Sequence, residues 1–388
     1  MPNYLVFFAL LVTAGNAFAA RVHVPFYSES VAVDYAPELL VIDGRPRGQL
    51  PPYLTARYRE FSQADYYTLL NSLQDTRTAL RLNDWLYFDL MQRAVRAAYP
   101  RASEVDRRAL SWFLLCQSNF DARLTYLGDT VWINTYTDEE LFEVGMIEEG
   151  TKRLVNLSSL LREEYDGEQL YLLNYIPNPD GQSFSFDLDR LPKLRPRYTE
   201  RTYQFDTRLA RHRLRVRTDQ TVVDVMRKYP FLDEEKYIDA PLSEALVKNL
   251  LPQLRRKMEP LNERERVQFL AAFTRMSFDY KTDEEHFGRS RPMIADEVLA
   301  YPYSDCEDRS ALFYALAKEL IGAPMVVLAY PDHVTVAVAT EAVLGDAIVH
   351  RGRKYYICDP TGPSNSDRVG RFPKGYAERR YEILSSYR

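Results

Sequence analysis

Residues 301–339 read YPYSDCEDRSALFYALAKELIGAPMVVLAYPDHVTVAVA, and residues 354–361 read KYYICDPT. The pair Ser304-Asp305 is typical of a helix N-cap, and the apolar residues after it recur at three- and four-residue spacing. Gly322 and Pro324 then end this pattern, as they end many helices. The stretch therefore predicts a helix that begins beside Cys306.

Strands are predicted after this helix. Residues 325–330 form a β-rich run, and the turn Pro331-Asp332 leads into a second run, 333–339, whose side chains alternate between two faces. A third run, 354–359, also alternates and ends in Asp359. We expect His333 at the start of one strand and Asp359 at the end of another.

Cys306, His333 and Asp359 have the chemistry of a nucleophilic triad. A thiol in the first turn of a helix meets the positive end of the helix dipole, which lowers the thiol pKa, and the N–H groups there can stabilise an oxyanion. A histidine within reach would act as base and then as acid, and a carboxylate behind it would fix its tautomer. The order of the three residues along the chain suits this arrangement.

The segments YSDCEDRSALFYALAKELIGAP, PDHVTVAV and YYICDPT resemble the core of transglutaminase-like cysteine enzymes, a papain-like superfamily that includes bacterial transglutaminase-like peptidases. In that family a tripeptide ending in Cys opens a helix, one strand begins with His, and another ends in Asp-Pro-Thr. Cys306, His333 and Asp359 match these positions. Ser304 departs from the pattern, because Gly is common there, and Val334 stands where many relatives continue with Ala-Trp. The close match covers residues 301–361, with a looser one from Asn262 onward, and is silent on the substrate.

The resemblance implies an α+β fold in which the nucleophile lies at a helix N-terminus packed on an antiparallel sheet. It implies a thioester acyl-enzyme formed on a peptide or side-chain amide of a protein or peptide substrate, with no metal and no organic cofactor. Hydrolysis by a peptidase or amidase is expected, and transfer to an amine by a protein-crosslinking transglutaminase is the alternative. A non-catalytic binding or assembly module that keeps the fold is the competing class.

The residues around the thiol have other interpretations. Buried structural cysteines and hydrogen-bonded structural histidines are common, and a zinc site of the three triad residues would lack a fourth ligand and any C-x-x-C pair. The acidic neighbours of the thiol suit a helix N-terminus but oppose thiolate formation. Tyr301, Tyr303 and Asp305 are placed to line the entrance of the site or to assist the oxyanion, and packing is the alternative for the tyrosines.

Residues 1–20 read MPNYLVFFALLVTAGNAFAA. An apolar core from Tyr4 to Val12 and small residues ending at Ala19 predict a secretory signal peptide cleaved after Ala19. We therefore expect an exported protein, periplasmic or extracellular, with no integral membrane segment after cleavage. No Lys or Arg precedes the apolar core, so a buried N-terminal helix is the alternative.

The composition is that of a soluble globular protein. Of 388 residues, 46% are hydrophobic and 27% are charged, and the net charge of −5 gives no electrostatic argument for nucleic-acid binding. Three cysteines in an exported chain leave at least one thiol unpaired. Cys116 and Cys358 lie in apolar patterns and are expected in the core, so Cys306 is the thiol that function explains best. The sequence carries no signal of an oligomeric state.

The first half of the chain contains either a second copy of the pattern around Cys306 or a chance match to it. DRRALSWFLLC aligns with DRSALFYALAK at an offset of 202 residues. Glu104 then takes the place of Cys306, and Thr130 takes the place of His333 after a one-residue gap. A copy of this kind would be a degenerate pseudo-domain with no nucleophile and no base.

The same alignment has a second part. DGEQLYLLNY mirrors RGRKYYICDP, so that Gly167 falls on Gly352 and Asn174 falls on Asp359. It requires an insertion at about residues 137–165.

The remaining patterns divide the chain into regions. We expect a signal peptide at 1–19, an N-terminal α+β domain at 20–195, a β/α connecting region at 196–260 and a transglutaminase-like domain at 261–388. The expected elements are short strands over 21–43, a Pro-rich break at 46–52, helices over 62–72 and 84–98, paired strands over 201–216, and a helix over 242–258. Asn262 and Glu265 form a capping box for a further helix to Met276.

Overall fold

The computed structural model describes residues 19–40, 49–160, 170–207, 210–361 and 369–388. The expected signal peptide up to residue 18 and Gly167 lie outside these residues. Within the described ranges, no helix has both the length and the apolar character needed to cross a membrane.

The strands are β1 (Ala20–Phe26), β2 (Glu29–Tyr35), β3 (Ala122–Leu127), β4 (Thr130–Thr137), β5 (Leu141–Phe142), β6 (Met146–Glu149), β7 (Lys152–Asn156), β8 (Tyr171–Leu172), β9 (Tyr198–Asp206), β10 (Arg211–Asp219), β11 (Phe231–Leu232), β12 (Asp279–Tyr280), β13 (Tyr303–Ser304), β14 (Met325–Tyr330), β15 (His333–Val338), β16 (Ala347–His350), β17 (Arg353–Cys358) and β18 (Glu382–Tyr387).

The helices are α1 (Leu50–Gln63), α2 (Tyr67–Leu80), α3 (Asp84–Ala98), α4 (Glu104–Gln117), α5 (Leu157–Leu160), α6 (Gln220–Met226), α7 (Glu234–Asp239), α8 (Glu244–Met258), α9 (Glu263–Met276), α10 (Asp283–Phe287), α11 (Ala295–Val298) and α12 (Cys306–Leu320). A 3₁₀ turn covers Pro37–Leu40.

Two antiparallel five-stranded sheets organise the fold, which is α+β as expected. One has the strand order β16-β17-β15-β14-β18 and the other has the order β6-β7-β4-β3-β8. The first sheet comes after α12 in the chain, and the second comes after α4. When the five strands of each sheet are numbered by their order along the chain, both sheets have the spatial order third, fourth, second, first, fifth.

The sheet that follows α12 has the alternation expected from the sequence. Val334, Val336 and Val338 pack into the same core as α12, and Cys358 joins them from β17. Side chains of the opposite face, such as Ile357, form a separate small core. Cys116 is also buried, so both cysteines expected in the core lie there.

Strand order corrects one part of the alignment between the halves. The neighbour of β4 that corresponds to β17 is β7, whereas β8 lies at the sheet edge, as β18 does. Asn134 in β4 pairs with Asn156 in β7, and the corresponding residue of β15, Ala337, pairs with Ile357 in β17. Asp359 lies two residues after Ile357, so its counterpart is Ser158, two residues after Asn156, and not Asn174. The expected insertion at 137–165 was wrong because it contains the β6–β7 hairpin, which the other sheet also has.

Two expectations in the N-terminal region were also wrong. The Pro-rich stretch at 46–52 was expected to interrupt structure, but its residues 50–52 belong to α1, which has Pro at its first positions, and residues 46–48 lie outside the described residues. Pro is tolerated there because those N–H groups have no partner within the helix. The single helix expected over 62–72 is instead the end of α1 and the start of α2.

The elements between the two sheets contribute to both large cores. The β9–β10 hairpin and α8 pack with α12, and α6 and α7 also supply residues to the core of the first half. The predicted paired strands, the helix over 242–258 and the capping box at Asn262 are all present.

Candidate active site

Cys306 is the first residue of α12, as the sequence predicts. Its helix is capped by Asp305, whose backbone N–H donates to Asp308 Oδ2 at 3.3 Å. The preceding strand β13 pairs in parallel with β12, with Tyr280 opposite Ser304. These contacts hold the thiol at a helix N-terminus, where the first N–H groups have no acceptor within the helix.

His333 and Asp359 are brought together by the β15–β17 ladder. Val336 pairs with Cys358, so the two functional side chains extend from neighbouring strands toward the same end of the sheet. His333 Nε2 lies 3.4 Å from Asp359 Oδ1, and the Asp359 side chain is fully buried. Because Nε2 faces the carboxylate, Nδ1 is the ring nitrogen that does not face Asp359. Asp359 follows β17 directly instead of ending it, a one-residue difference from the prediction.

The Cys306 thiol lies near the start of β15, the strand that begins with His333, but its hydrogen-bond acceptor is the adjacent residue, Glu307. The Cys306 thiol donates to Glu307 Oε2 with an S–O distance of 3.1 Å. The backbone of Val334, the residue after His333, also hydrogen-bonds the sulfur. A second contact between these elements runs from the Ser310 hydroxyl, which donates to the Val334 carbonyl at 3.2 Å.

The electrostatics of the thiol differ from the prediction. Burial, followed by the Glu307 carboxylate, raises the pKa of the Cys306 thiol, and Asp305 adds to the rise. The hydrogen bond from the Val334 backbone acts in the opposite direction but is outweighed. The net lowering of the thiol pKa expected from the helix dipole is therefore wrong, whereas the expectation that the acidic neighbours oppose thiolate formation is confirmed for Glu307 and Asp305.

Arg309 connects the segments that carry Cys306 and Asp359. Its guanidinium donates to the carbonyls of Arg275, Phe278 and Thr361 at 3.1, 2.8 and 3.1 Å, and its Nε donates to Ser304 Oγ at 3.0 Å. Only 3% of the residue is exposed. The sequence prediction missed this role, although a charge inside the apolar pattern of a buried helix is a signal that could have indicated it.

Hydrogen bonds hold both the side chain and the backbone carbonyl of Asp359. The Thr361 N–H donates to Asp359 Oδ1 at 3.0 Å, and the Arg275 side chain donates to the Asp359 carbonyl. The Thr361 hydroxyl reaches the Cys306 carbonyl at 3.5 Å. The Asp-Pro-Thr sequence thus links the third strand to the start of α12.

The two tyrosines predicted near the entrance both pack against His286. The Tyr303 ring lies 3.9 Å below the Lys281 ammonium and 5.2 Å from the His286 ring. Tyr301 packs on Phe287 and His286. Tyr280, which the sequence prediction missed, is half exposed, and the charges of Cys306 and Asp305 contribute to its raised pKa, after burial.

Asp305 belongs to a buried group of carboxylates beside the thiol. Oxygens of Asp283, Asp305 and Asp308 lie within 4.8 Å of one another. Burial, followed by the Asp305 charge, raises the pKa of Asp283 to about 6 and that of Glu307 to about 8, and the pKa of Asp308 is raised for the same reasons. Oxygen donors of this kind suit a hard divalent cation. The absence of a metal therefore stays a prediction from the sequence.

Comparisons of the chain with protein-family models, with curated proteins and with solved structures returned no match.

Proposed function

We propose that this protein is a transglutaminase-like cysteine enzyme with a papain-like core, and that it hydrolyses peptide or side-chain amides. The observation that carries the proposal is the pairing of His333 Nε2 with Asp359 Oδ1 at 3.4 Å, on strands next to a helix that begins with Cys306. The resemblance of residues 301–361 to that family supports it independently. Export to the periplasm or extracellular space is part of the same proposal.

The reaction follows from the roles of the three side chains. The Cys306 sulfur attacks the amide carbonyl carbon while its proton passes to His333 Nδ1, and N–H groups at the start of α12 stabilise the resulting oxyanion. His333 then protonates the leaving amine, which leaves a thioester on Cys306. Water, deprotonated by His333, attacks the thioester and releases the acid and the thiol. Asp359 orients the imidazole and stabilises its charged form.

An amine in place of water would give a transglutaminase, and the triad chemistry is the same for both acceptors. A substrate-level assay separates them. Ammonia or amine release without incorporation of a labelled primary amine indicates hydrolysis, whereas incorporation indicates transfer.

The second candidate is a non-catalytic binding or assembly module. The hydrogen bond from the Cys306 thiol to Glu307, with the raised pKa of that thiol, favours this candidate. On the catalytic proposal, Glu307 must release the thiol before the thiol can react.

Alkylation of Cys306 by iodoacetamide at pH 7.5, read by mass spectrometry, tests the choice. Labelling rates are compared for wild type and His333→Ala, and for both in a Glu307→Gln background. A rate that depends on His333 in either background supports the enzyme. Equal, slow labelling in all four proteins would refute it and favour the binding module. The buried Cys358 serves as an internal control, because it should label only on unfolding.

We also propose that the first half is a degenerate copy of the same unit. The matching strand order of the two sheets supports it, and Glu104, Thr130 and Ser158 take the three triad positions in that copy. None of them supplies a thiol or an imidazole. Superposition of residues 104–156 on residues 306–358 tests the proposal, and helices lying on opposite faces of the two sheets would refute it.

A further inference from the structure

An aromatic side chain that the triad does not include packs against the imidazole of His333. The Tyr376 ring centroid lies 5.2 Å from that of His333, with the ring planes at 54°. Tyr376 also meets Tyr330 edge to face at 4.9 Å. Tyr330 pairs with His333 across the β14–β15 turn, so one aromatic ring contacts both residues of this pair.

The segment that carries Tyr376 is attached to the residue just before His333. Arg379 donates to Asp332 Oδ1 at 2.6 Å, and its guanidinium lies 4.6 Å from the centre of the Tyr376 ring. A local turn supports the ring, because the Tyr376 N–H donates to the Pro373 carbonyl at 3.0 Å. The aromatic ring and the imidazole are thus fixed to the same corner of the sheet.

Hydrogen bonding alone does not orient the imidazole. His333 Nε2 is buried and 3.4 Å from Asp359 Oδ1, but it has no aligned hydrogen-bond acceptor among the residues that the structure describes. An imidazole held only by this contact could rotate about its side-chain torsions. A packed aromatic ring restricts that rotation, because displacing it would break the contacts that Tyr376 makes with Tyr330 and Arg379.

We propose that Tyr376 is a positioning residue for His333, which keeps Nε2 toward Asp359 and Nδ1 toward Cys306. The proposal rests on the proposed function for its catalytic meaning, but the packing that it describes can be measured without any reaction. Reactive groups must be held close to their productive geometry, and a misplacement of about 1 Å can cost about a hundredfold in rate.

The test combines a signature of the imidazole with a rate. The chain has five histidines, so ε1-labelled histidine gives few resonances, and His333→Gln assigns the one of interest. The variants are Tyr376→Ala, Tyr376→Phe and, as a matched control, Tyr381→Ala. Tyr381 packs on Tyr330 at 5.7 Å and is 37% exposed. Circular dichroism checks that each variant folds.

We expect Tyr376→Ala to shift the His333 resonance and to lower the His333-dependent alkylation of Cys306 by about tenfold to a hundredfold. Tyr376→Phe, which keeps the ring, should restore both, and Tyr381→Ala should change neither. An unshifted resonance and an unchanged rate in Tyr376→Ala would overturn the proposal, as would an equal effect of Tyr381→Ala. If wild-type Cys306 is not activated by His333, the proposed function fails, yet the resonance still decides whether Tyr376 positions the imidazole.

Discussion

Replacing Arg309 by Met should destabilise the protein and, at the same time, break the link between the segments that carry Cys306 and Asp359. The guanidinium makes four hydrogen bonds, three of them to backbone carbonyls of Arg275, Phe278 and Thr361. Met keeps much of the aliphatic volume but donates to none of these acceptors. The substitution therefore isolates the loss of hydrogen bonds from the loss of packing.

The size of the effect follows from burial. A buried carbonyl without a partner costs about 1–3 kcal/mol, which for three carbonyls gives an upper range of about 3–9 kcal/mol. Burial also lowers the pKa of Arg309, so removing the charge returns part of its desolvation cost. We expect a net loss of about 3–5 kcal/mol in the free energy of unfolding, a large share of the stability of a typical protein.

Urea denaturation followed by circular dichroism measures the loss of unfolding free energy. Iodoacetamide labelling of Cys306 at sub-denaturing urea measures the effect on the candidate active site. Arg107→Met is the matched control, since Arg107 occupies the aligned position in α4 and donates to the Ala102 carbonyl at 2.7 Å. The control should destabilise the protein but leave the His333-dependent labelling of Cys306 intact. A loss below about 1 kcal/mol in Arg309→Met, with labelling unchanged, would refute the reasoning.

Three further predictions concern single side chains. Glu307→Gln should speed alkylation of Cys306 several-fold at pH 9 in EDTA, because Glu307 is ionised at that pH and its carboxylate raises the thiol pKa. Mass spectrometry measures the rate, and an unchanged rate would contradict the assigned cause. Burial raises the pKa of Asp296 from 3.8 to about 6, so its contribution to stability is present at low pH and lost as pH rises from about 4 past 6. Asp296→Asn should remove this pH dependence. In urea titrations, the free energy of unfolding of the variant relative to wild type should therefore rise by up to about 3 kcal/mol across that pH range, and a pH-independent difference would count against the prediction. Gly370→Ala should lower the free energy of unfolding by more than about 3 kcal/mol in the same assay, because φ is +84° and the new Cβ would lie 1.8 Å from a backbone oxygen. Gly375→Ala is the control, since φ is +86° there but no atom lies within 4 Å of the new Cβ, and it should lower that free energy by only about 1 kcal/mol. Equal losses in the two variants would show that the overlap at Gly370 is relieved.

Features that depend on local sequence were predictable. The helix that begins at Cys306 and the strands that place His333 and Asp359 have short-range signals: an N-cap pair, apolar periodicity, Gly and Pro stops, and alternation. The capping box at Asn262 is equally local, and the structure contains it. Short-range chemistry therefore predicted where each functional side chain lies along its element.

Features that depend on tertiary contacts were not predictable. The rotamer that places the Cys306 thiol on Glu307 depends on the folded surroundings of both side chains, which a sequence pattern does not specify. The acceptors of Arg309 come from three distant segments. The sequence alignment matched β8, instead of β7, to β17 for the same reason. These strands are short apolar runs, and only their pairing in the sheet shows which of them corresponds to β17.

The unequal lengths of the ladders around the site have a consequence for protein engineering. Six residue pairs join β14 to β15, whereas only two join β12 to β13, the bridge that leads to Cys306. Within the segment that this short bridge bounds, the exposed residues 289–290 could be replaced by loops of other length and composition, while the contacts of Arg309 with Phe278 and Ser304 and the sheet that holds His333 and Asp359 are left intact. A library of such exchanges would vary this surface loop and keep Cys306, His333 and Asp359 constant, which on the proposed function would suit the scaffold to selection for new amide substrates.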